Sequence, residues 1–138
     1  MKIAIIGYGK MGKAIENIAL NRGHEVIFRA SSDNPITNFD FNNCDVAIEF
    51  STPEMAIPHI NYCLENKTPI VVGTTAWGHK LSDVKELVNK YRGSLLYASN
   101  FSVGVNIFFE LSKKLSSLIS SYPSYKAHIE ETHHIQKL

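Results

Sequence analysis

Short apolar runs alternate with longer amphipathic stretches along the chain, and this alternation is its main structural signal. The apolar runs, which predict strands, cover residues 2–6, 25–29, 46–50, 69–73 and 94–98. Stretches with apolar residues at helical spacing lie between them, at 11–22, 53–65 and 82–91. Strands that alternate with helices in this way are typical of a parallel sheet covered by helices. The pattern predicts an α/β fold, a Rossmann-type doubly wound parallel sheet.

The ends of two predicted helices carry recognisable local chemistry. Gly23 follows the first helix, where a left-handed residue is expected to end it. Ser51 and Glu54 have the spacing of a capping box, and Pro53 suits the first turn of the second helix. The core-facing stripe predicted for the first helix consists of Met11, Ala14, Ile15, Ile18 and Ala19.

Two parts of the chain depart from the strand and helix alternation. Residues 31–45 lack periodicity and predict a surface loop, with a short extended piece at 39–41. From Phe101 onward a long helix is expected over 103–121, followed by an extended segment at 125–131. We therefore expect a first domain at 1–100 and the beginning of a second at 101–138.

Composition and charge exclude several classes of protein. The chain has 14 basic and 13 acidic residues, a net charge of +1 and no basic run, so the electrostatic footprint of a nucleic-acid-binding protein is absent. The apolar run at 3–6 is too short for a signal peptide or a membrane span, and we expect a cytoplasmic protein. Cys44 and Cys63 form no Cys-x-x-Cys pair and are expected to be buried free thiols.

A glycine-rich loop follows the first predicted strand. Gly7-Tyr8-Gly9-Lys10-Met11-Gly12 fits the G-x-G-x-x-G fingerprint of dinucleotide-binding βαβ units. The first glycine permits the tight turn, the second lets the backbone approach a pyrophosphate, and the third allows the helix to pack close to the strand. An ordinary strand-to-helix turn is the alternative, but the position between a strand and a helix favours dinucleotide binding.

The residues after the second strand bear on the choice of dinucleotide. NAD sites usually place an acid there, about 20 residues after the glycine loop, to bind the ribose hydroxyls. Here the stretch reads Phe28-Arg29-Ala30-Ser31-Ser32, and the first acid is Asp33. Since guanidinium and hydroxyl groups suit a 2′-phosphate, Arg29 and Ser31 favour NADP(H), with NAD(H) possible. The alternative makes Arg29 a solvated surface charge.

Two later loops follow strands that should end at the same edge of the sheet. They are Gly73-Thr74-Thr75 and the segment that begins Ala98-Ser99-Asn100-Phe101. Ligands of open α/β sheets bind at this edge, although Thr and Asn are also ordinary turn residues.

These motifs, taken in order, resemble the dihydrodipicolinate reductase family. The resemblance covers nearly the whole chain and depends on the glycine loop together with four further strings. These are Glu49-Phe50-Ser51-Thr52-Pro53-Glu54, Gly73-Thr74-Thr75, Asn100-Phe101-Ser102-Val103-Gly104-Val105-Asn106 and Glu131-x-His133-His134-x-x-Lys137.

The resemblance implies a function and a role for each motif. The enzyme would reduce a cyclic dicarboxylate with hydride from NAD(P)H in lysine and diaminopimelate synthesis. The segments 7–12, 73–75 and 98–101 would bind the cofactor. His133 would be the acid/base residue, His134 a substrate-binding residue and Lys137 a proton donor, in keeping with the proton chemistry of imidazole and ammonium groups.

The resemblance also implies that the sequence is a fragment. The family's acid-Ala-Pro-Ser-Gly-Thr loop, which binds a substrate carboxylate, would follow directly after Leu138. Most of an α+β domain for substrate binding and oligomerisation would then be missing, and we expect dinucleotide binding to survive better than turnover. The full-length form would be a homo-oligomer, a tetramer by the resemblance.

Three other interpretations stay open. The adjacent histidines, with His128, could form a metal site, but their spacing does not favour it and no metal is expected. The chain could be a non-catalytic NAD(P)-binding or regulatory module. A dehydrogenase for another small acid would need a nucleophilic cysteine in a suitable loop, and neither Cys44 nor Cys63 lies in a recognisable one.

Overall fold

A five-stranded parallel sheet forms the centre of the computed structural model, which describes residues 1–132. Its strand order is β2-β1-β3-β4-β5, so the chain reverses direction across the sheet between β1 and β3. The predicted Rossmann-type doubly wound sheet is thereby confirmed. The strands are β1 (Lys2–Ile6), β2 (Glu25–Ala30), β3 (Val46–Glu49), β4 (Ile70–Val72) and β5 (Leu95–Tyr97).

Helices cover both faces of the sheet and enclose a separate apolar cluster on each. The smaller cluster, under the first helix, contains Ile3, Ile5, Ala19 and Val26. The larger one includes Ile60, Leu64 and Val84 from the second and third helices. The helices are α1 (Lys10–Asn21), α2 (Pro53–Glu65), α3 (Leu81–Tyr91) and α4 (Val103–Ile119).

The first helix buries only part of the face that its apolar residues predict. Met11 and Ile18 are about half exposed and Ala14 is exposed. Ala19 is buried and Ile15 is partly buried as predicted, but Gly12 and Glu16, which the pattern did not select, are buried beside them. The reason is that Gly12 packs directly on the backbone of Gly7, which turns the polar Glu16 toward the sheet. The helix ends as expected, because Gly23 is left-handed and the amides of Gly23 and His24 donate to the carbonyls of Leu20 and Ala19.

The loop between β2 and β3 contributes to the core. It contains two short 3₁₀ turns, and of the extended piece predicted at 39–41, Phe39 and Asp40 do have extended backbone between the turns. Phe41 begins the second turn, which the Asp40 carboxylate caps by accepting from the amide of Asn42 at 3.0 Å. Stacking of Phe39 on Phe28, with ring centroids 4.5 Å apart, then holds the loop against the sheet.

The chain divides into two compact units, of which the first spans Met1–Ser99 and the second begins at Asn100. The described part of the second unit contains α4, and all residues of that helix remain outside the buried core. No strand is found within 125–132, where the extended segment was expected. None of the helices among residues 1–132 is long and apolar enough to cross a membrane.

Candidate functional site

Three loops meet at the carboxyl edge of the sheet and surround a cleft of about 430 Å³. They follow β1, β3 and β4, which are neighbours at the point where the strand order reverses. Ligands of open parallel sheets bind at this point, because the loops there separate and leave a crevice. The residues that line the cleft are Gly9, Lys10, Met11, Phe50, Ser51, Pro53, Gly73, Thr74 and Thr75.

Two glycines of the first loop are required by packing within the protein. Gly7 has a φ of +93°, and a Cβ at this position would overlap the carbonyl oxygen of Phe50. A Cβ on Gly12 would overlap the carbonyl oxygen of Gly7. The first glycine therefore permits the turn and the third permits the close approach of helix and strand, as the fingerprint predicts.

Gly9 differs, because no protein atom lies within 4 Å of a Cβ built there. It is the N-cap of α1, and it offers no side chain to the amides of the first turn, which lack partners inside the helix. That turn contains Lys10 and Lys13 and no acidic residue. Basic residues oppose the helix dipole at this end unless an anion binds there. These features fit a diphosphate at the start of α1.

In the loop after β4, one threonine is buried and hydrogen-bonded to other residues of the protein, and the next is exposed at the cleft. The Thr74 side chain is buried, and its Oγ1 accepts a hydrogen bond from the amide of Ser51 at 2.8 Å. The indole of Trp77 donates to the carbonyl of Thr74 at 2.7 Å. Thr75 is exposed at the cleft, so its hydroxyl is accessible to a ligand. Gly73 leaves room for the ring of Phe50.

A buried polar cluster lies under the loop after β3. Glu49 is fully buried, and its Oε1 accepts hydrogen bonds from the amide of Ser51, at 3.0 Å, and from the Ser51 hydroxyl. The same hydroxyl lies 3.2 Å from Nδ1 of His59. The predicted capping box is therefore wrong: Thr52 is the N-cap of α2, because Ser51 is bound to Glu49. The cluster fixes the wall of the cleft.

Sequence reasoning did not name Phe50, Ser51 or Pro53 as site residues. They were noted as part of a family motif, and Ser51 and Pro53 also as the start of a helix, yet they form one wall of the cleft. The available signal was topological, since the loop that follows the central β3 must lie beside the glycine loop.

Arg29 forms an ion pair inside the first unit. Its Nε donates to Oε1 of Glu16 at 2.6 Å, and its Nη2 contacts the same oxygen. The hydroxyl of Tyr8 donates to the other oxygen of that carboxylate. The Arg29 hydrogen bond is the main cause that holds the pKa of Glu16 below its ordinary value.

Ser31 lies in a tight turn directly after β2. Its amide donates to the carbonyl of Asn34 at 3.0 Å, and the amide of Asn34 donates back at 3.3 Å. The turn places the Ser31 side chain at the carboxyl end of β2, where it is exposed.

The predicted cofactor segment at 98–101 is divided between the two units. Ala98 and Ser99 belong to the first, at the carboxyl end of β5, while Asn100 and Phe101 belong to the second. The Asn100 side chain accepts from the amide of Ser102 at 2.8 Å, and Ser102 is the N-cap of α4. Contact of these residues with a cofactor stays a prediction.

The remaining candidates are the residues of the C-terminal motif and the two cysteines. His133, His134 and Lys137 lie outside the described residues. Cys63 is buried and Cys44 is half-buried, and both thiols are free. Burial raises the pKa of each thiol, that of Cys63 strongly, so neither is suited to act as a nucleophile.

Comparison with known proteins agrees with this geometry. The family model described as "Dihydrodipicolinate reductase, N-terminus" matches residues 1–101. A 4-hydroxy-tetrahydrodipicolinate reductase from Christiangramia forsetii is 44% identical over 100% of the chain, and one from Thermosipho africanus is 33% identical over 99%. The chain spans 58% and 60% of these two curated relatives.

A solved structure supports the fold as well. It is a dipicolinate-bound dihydrodipicolinate reductase from a Paenisporosarcina species, with a TM-score of 0.60 and 24% identity. The match covers 88% of this chain and 54% of that one.

Proposed function

Because the chain belongs to the dihydrodipicolinate reductase family, we propose that it contributes the dinucleotide-binding part of a 4-hydroxy-tetrahydrodipicolinate reductase. The motif resemblance found in the sequence is thereby confirmed at the level of the family. The observation that carries the proposal is the three-loop cleft, whose glycine loop leaves the start of α1 open to a diphosphate. In the reaction, NAD(P)H supplies the hydride and a cyclic dicarboxylate receives it.

The first unit would bind and orient the cofactor. Amides of the first turn of α1 would bind the pyrophosphate, and the dipole of the helix and the Lys10 ammonium would add positive charge. Thr75, in the loop after β4, would contact the nicotinamide half.

NADP(H) is proposed as the preferred cofactor, with NAD(H) also accepted. An acid that would bind a free ribose 2′-hydroxyl is missing at the end of β2, where Ala30 is followed by Ser31 and Ser32. Arg29 supplies a cation one residue before the end of that strand. Both serine hydroxyls and the guanidinium are suitable donors to a phosphate.

The proton chemistry is assigned to the C-terminal motif. We assign acid/base catalysis to His133, substrate binding to His134 and proton donation to Lys137. Their side-chain types suit these roles, because imidazole titrates near neutral pH and an ammonium both attracts a dicarboxylate and supplies a proton. The second unit, from about residue 100, would begin the domain that binds substrate and forms the homo-oligomer, a tetramer by family resemblance.

The alternative dehydrogenase with a nucleophilic cysteine does not fit the described residues. Cys63 is fully buried in the larger apolar cluster, away from the residues that line the cleft. A thiol with a raised pKa in apolar surroundings is inert.

The activity is tested by NADPH oxidation with the cyclic dicarboxylate, using protein expressed from the complete reading frame. We expect turnover in the unsubstituted protein, and about 10²-fold to 10⁴-fold loss of kcat in His133→Ala and Lys137→Ala. His128→Ala, in the same segment, is the matched control and should retain activity.

Two results would count against these assignments. A loss of less than tenfold in both variants would refute the proton-transfer roles. Saturable NADPH binding without any turnover would favour the non-catalytic dinucleotide-binding module instead.

A further inference from the structure

An acid is buried beside Arg29, the cation to which we assign binding of a 2′-phosphate. Glu16 lies on the buried face of α1, and its side chain is 11% exposed, against 40% for that of Arg29. Tyr8 donates to one oxygen of this carboxylate, and two nitrogens of Arg29 contact the other. We call Tyr8, Glu16 and Arg29 the Glu16 cluster.

We propose that Glu16 is a specificity-determining residue that limits the preference for NADP(H) over NAD(H) by neutralising and holding the guanidinium of Arg29. The proposal extends the proposed function, because it applies to the same dinucleotide site.

Charge and geometry support this role. Nε and Nη2 of the guanidinium contact Glu16. A phosphate would therefore have to bind the remaining N–H groups of Arg29 next to the negative charge of the Glu16 carboxylate. The ion pair has no net charge, whereas a free guanidinium attracts a phosphate through its full positive charge. The low pKa of Glu16 keeps the carboxylate ionised at neutral pH.

The burial of Glu16 favours its continued pairing with Arg29. If Arg29 turned fully toward a phosphate, Glu16 would be left with the Tyr8 hydroxyl as its remaining partner in the cluster. Removing the partner of a largely buried charge is costly, because the charge cannot recover its hydration. The ring of Tyr8 also lies 5.9 Å from the guanidinium carbon and further restricts its movement.

The test compares cofactor affinities of the 138-residue chain and its variants. Dissociation constants for NADPH and NADH are measured by titration for the unsubstituted chain and for Glu16→Gln, which keeps the shape of the side chain and removes its charge. We expect the affinity for NADPH relative to NADH to rise about tenfold, the effect of one additional charge-assisted hydrogen bond.

Matched variants separate this effect from general electrostatics. Glu25→Gln removes the same charge from the opposite end of β2 and should leave the ratio unchanged. When Arg29 is also replaced, in Arg29→Met, Glu16→Gln should change the affinity for NADPH relative to NADH by less than it does in the presence of Arg29. The reason is that no guanidinium is then present to be freed from Glu16. If Glu16→Gln does not fold, Glu16→Asp, which moves the carboxylate back from Arg29, should still raise the ratio.

The outcomes are distinguishable. A ratio that stays the same or falls in Glu16→Gln, or that rises equally in Glu25→Gln, would overturn the role of Glu16. Failure of the unsubstituted chain to bind either dinucleotide would instead overturn the proposed function.

Discussion

Packing requires glycine at Gly7 and Gly12 but not at Gly9, although a sequence motif treats the three alike. Steric overlap with the backbone excludes a side chain at Gly7 and Gly12. At Gly9 the protein has open space and an ordinary φ of −85°. Packing within the protein therefore gives no reason for glycine at this position, and under the proposed function it would let a diphosphate approach the backbone.

The contrast gives a prediction at the residue scale. In Gly9→Ser, stability should be retained, because Ser is a favourable N-cap, but dinucleotide affinity should fall tenfold or more, since the side chain and its oxygen occupy the space for the diphosphate. In Gly12→Ser, stability itself should fall by about 1–3 kcal/mol because the side chain overlaps the backbone of Gly7.

Denaturant unfolding and cofactor titration on the two variants provide the check. If Gly9→Ser binds NADPH as well as the natural chain does, the diphosphate does not approach this glycine.

Residue types in the site were easier to predict than their partners. The glycine loop could be recognised at its place between β1 and α1 because its chemistry is local, and its binding of a diphosphate stays a prediction. Arg29 was recognised as a cation, but Glu16 was not expected beside it, because helical periodicity places apolar residues inward and a single buried acid does not alter the pattern. The partner of Ser51 was also not predicted. The sequence suggested that its side chain would cap α2, whereas in the structure its hydroxyl donates to the buried Glu49.

At the scale of elements, α2 and α3 are joined by a hydrogen bond at the protein surface. The hydroxyl of Tyr91 donates to Oε1 of Glu65 at 2.7 Å. This bond is the main cause that lowers the pKa of Glu65 from its usual 4.5. A carboxyl whose pKa is lowered by folding stabilises the protein above its unfolded pKa, and this contribution is lost as the pH falls through the folded value.

The expected consequence is a pH-dependent effect of Tyr91→Phe. At about pH 7 the variant should melt slightly below the natural chain, and at an acidic pH the difference should be smaller, because it is lost as the pH falls through the lowered pKa of Glu65 in the folded protein. Thermal melts at the two pH values measure it, with Tyr122→Phe in the second unit as the control. A difference that persists unchanged at low pH would show that the carboxylate is not involved.

Helices and strands were predicted well from their apolar patterns, whereas the irregular segment between β2 and β3 was not. All five predicted strands and all four predicted helices appear close to their expected bounds, because continuous apolar runs indicate the strands of a covered parallel sheet and apolar residues at helical spacing indicate the helices. The 3₁₀ turns at 36–38 and 41–43 have no such period. They are set by side-chain contacts, Phe39 on Phe28 and Asp40 on Asn42, which a single sequence does not reveal.

At the scale of the whole molecule, the first unit contains a complete cleft. All nine residues that line it belong to Met1–Ser99. In the second unit, helical periodicity predicted α4 correctly but could not show that the helix has no buried residue in the described structure. Dinucleotide binding is therefore the property that the 138-residue chain should show by itself.

The most direct test of this claim is a titration of the chain with NADPH followed by the fluorescence of Trp77. This is the single tryptophan, it is buried, and its indole is hydrogen-bonded to Thr74 in the wall of the cleft. We predict saturable quenching, competition by NADH, and stabilisation of about 2.7 kcal/mol when NADPH reaches about 100 times its Kd. Fluorescence and melting temperature that both remain unchanged up to millimolar NADPH would contradict the account.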